Sequence, residues 1–475
     1  MTVILKPDVC VIGGGSGGLS VAAAVAAFGV SVVLIEKGKM GGDCLNYGCV
    51  PSKALIAAGK QAHLMRSGAK FGIKPAEPEV DFKAVMKHVH QVIAEIAPND
   101  SVERFTALGV KVIQAPAKFL DKRTVEAGEF QIRARRFVIA TGSSAFVPPI
   151  AGLSDVDYLT NETIFEEQRL AAHLIIIGGG PIGMEMAQAH RRLGSQVTVI
   201  EAMRAFGKDD PETSSIVLKA ICAEGVDVRE GTKVISVEKR GKTGVRVNVE
   251  TAGGKSQIDG TKLLVAVGRI ANTGGLDLEK AGIAFTRPGI TVDKGMRTTN
   301  RKVFAIGDVS GSLQFTHMAN YHAGLVVRSI LFRMPVKEDR SIIPWATYTE
   351  PELAQVGMSE ADAIKTKQPY KVLRWTFADN DRAQAEHKTS GLVKIITTPK
   401  GLILGVSISG ANAGEMINLW ALAISKKHSV RDIAGYVSPY PTLSEVGKRA
   451  ATSYYTPLAR SPKLRKLIGW LRVFG

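Results

Sequence analysis

Cys44 and Cys49 sit in the glycine-rich stretch GGDCLNYGCVPSKAL, residues 41–55, with Lys53 just after the second thiol. Two thiols this close can hold a metal, lock a loop or carry electrons. A structural zinc site needs about four nitrogen or sulfur ligands, and the other two cysteines, Cys10 and Cys222, lie at no knuckle-like spacing. Those two read as small core residues, Cys10 on a strand and Cys222 in the helical stretch SSIVLKAICAEG. From Cys49 onward, Pro51 and the run Ala54 to Ala58 predict the entry to a helix. A cysteine at a helix N-terminus near a lysine has its thiolate stabilised and its reactivity raised. A redox pair therefore explains the context better than a metal site.

Electron transfer needs a carrier beside the pair, and the preceding residues supply a place for one. Residues 8–36, DVCVIGGGSGGLSVAAAVAAFGVSVVLIE, read as strand, glycine turn, small-residue helix and second strand. The strands are apolar without alternation, as in a parallel sheet covered on both faces. Gly13, Gly15 and Gly18 have the spacing that permits a tight turn, backbone approach to a pyrophosphate and close helix–strand packing. The helix N-terminus then meets phosphate charge with free N–H groups, and Glu36 can accept hydrogen bonds from ribose hydroxyls. The pattern recurs in LIIIGGGPIGMEMAQAHRRLGSQVTVIE, residues 174–201, where Gly178, Gly180, Gly183 and Glu201 follow their counterparts at a constant interval. A lone glycine fingerprint would be weak evidence; two copies in register predict two bound dinucleotides, or one and something similar. A carboxylate at Glu201 suits a free 2′-OH and repels a 2′-phosphate, which favours NADH over NADPH, with Arg204 placed to soften the preference.

The 475 residues allow two to four domains. Hydrophobic content of 45% and charged content of 22% are ordinary for a globular chain. Four cysteines are too few for a secreted disulfide scaffold, so a reducing compartment is expected. The opening MTVILKPDVCVIGGG has no signal-peptide pattern, and no apolar run has the length of a spanning helix. These features together predict a cytoplasmic protein. The net charge of +17 invites a nucleic-acid reading, but the basic residues are scattered and no aromatic-interleaved basic motif occurs, so no nucleic acid is expected.

The segment GGDCLNYGCVPSKAL resembles the redox-active disulfide motif of the flavoprotein disulfide reductases, among them dihydrolipoamide dehydrogenase, glutathione reductase and mercuric reductase. Other segments resemble the family too: Thr141-Gly142-Ser143 closing a first FAD segment, Val303 to Asp308 with Gly307 in a second, and Phe315-Thr316-His317 after it. Tyr348 to Glu352 and Gly405 to Ile417 resemble its dimerisation domain. The resemblance implies an α/β fold with two Rossmann-like dinucleotide-binding domains and a C-terminal α+β dimerisation domain. Its expected segments are 1–150 and 271–342 for FAD, 151–270 for NAD(P)H, 343–458 for dimerisation and 459–475 for a basic tail.

The resemblance also implies roles. FAD would occupy the first glycine unit, with Gly42, Thr141, Gly142, Ser143, Gly307, Asp308 and His317; the nicotinamide nucleotide would occupy the second, with Gly268. Hydride would pass from nicotinamide through the flavin to a Cys44–Cys49 disulfide. Cys49 would face the flavin, Cys44 would exchange with a thiol or disulfide substrate, and Lys53 would pair with Glu185. A homodimer sharing its active sites across the interface is expected. The fit is best to dihydrolipoamide dehydrogenase, with a metal-ion reductase such as mercuric reductase and a quinone reductase or diaphorase as alternatives.

Two segments depart from the family. Its lipoamide and glutathione reductases carry His-Pro-Thr followed by a glutamate, the histidine being the acid–base for substrate thiols. Here Tyr440 stands in the histidine position and Glu445 is kept. An unperturbed tyrosine, with a pKa of about 10, is a poor base at neutral pH. Mercuric reductases carry a tyrosine in this region, but also a C-terminal cysteine pair, and no cysteine follows Cys222. The second departure is SPKLRKLIGWLRVFG, which predicts an amphipathic helix from Ser461-Pro462 with Leu464, Leu467, Ile468, Leu471 and Phe474 at helical spacing. Lysines and arginines without a carboxylate suit either packing on the dimer or contact with a membrane surface.

Overall fold

A computed structural model of the chain describes residues 3–474 except Thr243, so Met1, Thr2 and Gly475, which the expected end segments include, lie outside the described residues. Two compact units form. The first holds the chain up to Arg66, Ala76–Ala202 and Gly231–Glu338; the second holds Ser67–Pro75, Met203–Glu230 and the chain from Asp339 onward. The expected 151–270 segment is thus divided, with Met203–Glu230 joining the C-terminal residues.

In the first unit, β1 (Val9–Ile12), α1 (Ser16–Ala27) and β2 (Val32–Glu36) make the first glycine unit. Helix α2 (Cys49–Arg66) follows. Strands β3 (Lys111–Gln114), β4 (Arg136–Ile139) and the later β10 complete a parallel sheet ordered β10-β4-β1-β2-β3, where β10 is Val303–Ala305. Its strands β1 and β4 are apolar on both faces because both are covered: Val9, Val11, Phe137 and Val138 are fully buried. Strand β5 (Ser143–Ala145) leaves this sheet and pairs antiparallel with β9 (Arg269–Ala271).

The second glycine unit repeats the construction with β6 (His173–Ile177), α3 (Pro181–Leu193) and β7 (Gln196–Ile200). Strand β8 (Lys262–Val265) lies parallel on the other side of β6. Helix α4 (Thr316–Phe332) returns to the first glycine unit, where Ala323, Val326 and Ile330 join the core formed by β1 and α1. The α/β architecture with two such dinucleotide-binding halves is as expected.

The second unit is α+β. Its antiparallel sheet runs β11 (Pro344–Thr347), β12 (Glu352–Gly357), β15 (Ile403–Gly410), β14 (Leu392–Thr397), β13 (Lys371–Thr376). Helices α5 (Ala413–Ser425) and α6 (Glu445–Thr452) contribute Trp420, Ile417, Val446 and Ala450 to its core. Ser461 precedes α7 (Pro462–Leu471), which begins at the residue the sequence indicates. Cys10 is fully buried, but Cys222 is exposed, which corrects its reading as a core residue. Its helix, Pro211–Ala223, turns Val217 and Ile221 inward, and Cys222 follows Ile221 by one position on the outer side. Among the described residues no helix is long and apolar enough to cross a membrane.

Candidate functional site

The two glycine turns are built alike. Gly13 and Gly178 adopt φ of 110° and 113°, in the region that favours glycine. A Cβ on Gly18 would meet the Gly13 carbonyl oxygen at 1.9 Å, and one on Gly183 would meet that of Gly178 at 2.0 Å. Only glycine therefore lets α1 and α3 leave their turns this tightly. Gly15 and Gly180 stand at the N-caps of these helices, and neither helix has a side-chain cap or an acidic residue in its first turn. The leading N–H groups are thus without a protein carboxylate, the arrangement that accepts a pyrophosphate. Gly42 faces Gly15, with a hypothetical Cβ 2.7 Å from its Cα.

Glu36 and Glu201 close the loops from the strand ends. Glu36 accepts from the Gly14 and Gly38 N–H groups, and Glu201 from the Gly179 N–H at 2.8 Å. A carboxylate has about four lone-pair sites, so Glu36 can accept from ribose hydroxyls besides these N–H groups. These features fit two dinucleotides.

Thr141, Ser143 and Asp308 of the expected FAD residues meet where β5 pairs with β9. Ser143 Oγ donates to Asp308 Oδ2 at 2.5 Å, and burial raises the Asp308 carboxyl above its ordinary range. Arg269, which the sequence reading passed over for its neighbour Gly268 (φ 134°), donates to Ser143 Oγ at 2.7 Å and pairs with Asp43 at 2.9 Å. Thr141 Oγ1 donates to the Asn272 carbonyl oxygen, with Gly142 at φ 66° beside it. Gly307 N–H donates to Nδ1 of the fully buried His322. His317 stacks on Phe315, the ring centroids 5.2 Å apart.

Cys44 rides the short helix Gly42–Asn46, and Cys49 opens α2. Both are free thiols and share a hydrogen bond, the dithiol form of the disulfide implied by the resemblance. Cys49 Sγ also lies 3.5 Å from Thr316 Oγ1 at the start of α4. The hydrogen bond from Cys44 lowers the Cys49 thiol to about 6, helped by Thr316 and Lys53 and opposed by burial. The same bond, with burial, pushes the Cys44 thiol far up. The two opposite shifts favour the shared proton on Cys44 and the thiolate on Cys49.

Lys53 Nζ meets Glu185 Oε2 at 2.8 Å, and the glutamate is buried. Their helices can approach because Gly59 on α2 faces the backbone of Ala189 on α3, where a Cβ would come within 3.1 Å of the carbonyl oxygen. Beside Cys44 lies a cavity of about 330 Å³ whose lining includes Ser16, Ser20, Asp100, Arg104, Thr316 and Asn320. No local pattern marked this cavity in the sequence.

In the second unit Tyr440 is exposed, and its hydroxyl donates to Asp381 Oδ2 at 2.7 Å. That carboxylate raises the Tyr440 pKa above the ordinary tyrosine value. Glu445 does not hold Tyr440: it opens α6 and pairs with Arg449 at 2.9 Å, so Asp381 is the partner that sequence reasoning missed.

Comparison with known proteins bears on the whole arrangement. Residues 7–323 match the family described as pyridine nucleotide-disulphide oxidoreductase, and residues 343–451 match its dimerisation domain. A mercuric reductase of Lysinibacillus sphaericus is 34% identical over 450 residues, covering 94% of this chain and 82% of that one. A dihydrolipoyl dehydrogenase of Thermus scotoductus is 36% identical over 468 residues, covering 94% and 97%. The HOCl-induced flavoprotein disulfide reductase RclA from Escherichia coli, solved as a Cu(II) complex, superposes with a TM-score of 0.82 at 27% identity, covering 92% and 98%.

Proposed function

The chain belongs to the class I pyridine nucleotide-disulphide oxidoreductases, and on that premise we propose that it reduces a small disulfide, most like a dihydrolipoamide dehydrogenase running in the reductive direction. It is an FAD-dependent enzyme with NAD(P)H as electron donor. Bound FAD and NAD(P)H supply the two electrons that return the cysteine pair to its dithiol. The residues named above for the two glycine units, with Asp308 and Ser143, would hold these groups, and Glu201 favours NADH.

The observation that carries the reading is the juxtaposed thiol pair at the start of α2, with the Lys53–Glu185 ion pair on the same helix. Turnover begins when the Cys44 proton moves along the shared hydrogen bond to Cys49. The Cys44 thiolate attacks one sulfur of the substrate, which breaks the substrate S–S bond and forms a mixed disulfide; the departing thiolate takes a proton from water. Cys49 then attacks Cys44 Sγ, its proton passing to the second substrate sulfur as that thiol leaves and the Cys44–Cys49 disulfide closes. One substrate disulfide, two electrons from the cysteine pair, the proton of the pair and one from water have then given two thiols. The cavity beside Cys44 mixes Ser16, Asn320, Asp100 and Arg104 with Leu19, Leu45, Val50 and Phe105, a lining that suits a small amphipathic substrate. The dimerisation domain supports a homodimer in which the Ser438–Glu445 loop of a second protomer serves each site.

Tyr440 supports a second reading. Its proton is committed to Asp381, so it is a poor base for oxidising a dithiol and favours an acceptor that needs none, such as a thiophilic metal ion. The similar mercuric reductase and the Cu(II) complex of RclA point the same way. Anaerobic titration with NADH and NADPH, followed by disulfides, quinones, Hg(II) and Cu(II), separates the readings. Disulfide turnover abolished by Cys44→Ser is the expected result. Turnover of quinones alone, indifferent to Cys44→Ser, would replace it with a diaphorase.

A further inference from the structure

Helix α7 and the turn Arg472–Phe474 stand apart from the core of their unit, and no residue of either is buried. Leu464, Leu467, Ile468 and Leu471 occupy positions i, i+3, i+4 and i+7, one face of the helix. Leu467, Ile468 and Leu471 are each about half exposed, and Trp470 and Phe474, in edge-to-face contact at 5.0 Å, are more so. An apolar face this open is costly in water unless something covers it.

Charge identifies the cover. Lys463 flanks the face on one side, and Arg465 and Arg472, seven residues apart, flank it on the other; Arg460 and Lys466 add two more cations. No aspartate or glutamate occurs after Glu445, in a chain of net charge +17. A two-fold contact of this helix with its own copy would bring the same cations against these, which like-charge repulsion opposes. An apolar stripe between basic flanks, with an exposed tryptophan, is the pattern that settles at the headgroup level of anionic lipid.

We infer that residues 460–474 dock the enzyme onto an anionic membrane surface, with Leu464, Leu467, Ile468, Leu471 and Phe474 in the acyl boundary and the flanking cations on lipid phosphates. The inference is independent of the substrate, since it uses no residue of the thiol site.

The test is vesicle co-sedimentation of the FAD-loaded full chain. Vesicles of equimolar phosphatidylglycerol and phosphatidylcholine are expected to retain at least about tenfold more protein than pure phosphatidylcholine, with the excess falling as salt rises. Leu467→Glu/Ile468→Glu should lose that retention while keeping wild-type flavin content and NADH-driven flavin bleaching. Lys463→Glu/Arg465→Glu should weaken retention while leaving the apolar stripe intact. Equal retention on both lipids, or retention unaffected by either double variant, overturns the proposal. So does absence of vesicle binding together with a change of oligomeric state in the Leu467→Glu/Ile468→Glu variant, which would assign the face to a second copy.

Discussion

The two thiols illustrate how much one hydrogen bond decides at a reactive centre. Cys44 and Cys49 are chemically identical, yet their shared hydrogen bond favours the thiolate on Cys49 and the proton on Cys44, and Lys53 adds to the bias on the Cys49 side. With the thiol lowered to about 6, the Cys49 thiolate persists above that pH and is lost as pH falls through it. In the two-electron-reduced enzyme, the long-wavelength absorbance of a thiolate against flavin should therefore titrate near pH 6, well below an ordinary thiol. Thr316→Val removes one stabilising contact and should move the midpoint upward; an unmoved midpoint would show that Thr316 plays no part. Tyr440 gives a second prediction at this scale. Tyr440→His restores a group that titrates near neutrality. It should raise NAD⁺-dependent oxidation of dihydrolipoamide at pH 7 by at least about tenfold, the lower part of the range for a positioned base. No gain would mean that residue 440 does not limit that reaction. The cysteine pair was legible in the sequence because its members are local to each other. Thr316, 267 residues from Cys49, and Asp381, 59 from Tyr440, were not, since contacts made by tertiary folding leave no spacing to read.

Elements were more legible than partners. Strands β1, β2, β6 and β7, their glycine turns and α2 fall where the apolar runs, glycines and Pro51 place them, because buried parallel strands and tight turns restrict residue type strongly. The close approach of α2 and α3 left only one trace, Gly59 inside a helix that otherwise favours better helix formers. That glycine lets the helices converge and so lets Lys53 reach Glu185 across 2.8 Å. Gly59→Val would drive methyl groups toward the Ala189 backbone, which cannot yield as a flexible side chain would. The expected cost is about 1–3 kcal/mol, typical of overpacking. It should appear as a lowered Tm in the FAD-loaded protein, together with slower flavin reduction by NADH as the ion pair is pushed apart. A lowered Tm with an unchanged reduction rate would separate the helix contact from the function of the pair.

The second unit joins residues far apart in the chain through a buried charge. Lys394 lies within the apolar strand β14 and is 3% exposed, yet its ammonium meets Asp210 at 2.8 Å, Glu360 at 2.7 Å and Glu212 at 3.1 Å. Asp210 uses its other oxygen to cap the helix Pro211–Ala223, accepting from the Glu212 and Thr213 N–H groups. The excursion Met203–Glu230 is thereby fastened to the C-terminal sheet across 184 residues of sequence. A lysine in the apolar run LVKIIT was the only sign in the sequence, and it does not say which carboxylates answer it. Lys394→Met keeps the length of the side chain but leaves the buried Asp210 without its cation, while Glu212 and Glu360 keep only Arg374, at 2.7 and 3.8 Å. Breaking a buried ion pair in this way costs about 3–5 kcal/mol. The hydrogen bond from Lys394 is also what chiefly holds the Glu360 carboxyl below its ordinary value, so its contribution is present above the unfolded carboxylate pKa and fades as pH falls through the lower, folded one. Urea unfolding should therefore show the variant far less stable than wild type at pH 7, with the gap narrowing in acid below about pH 4. A gap that stays constant with pH would mean that lost packing, rather than the carboxylates' loss of Lys394, sets the cost.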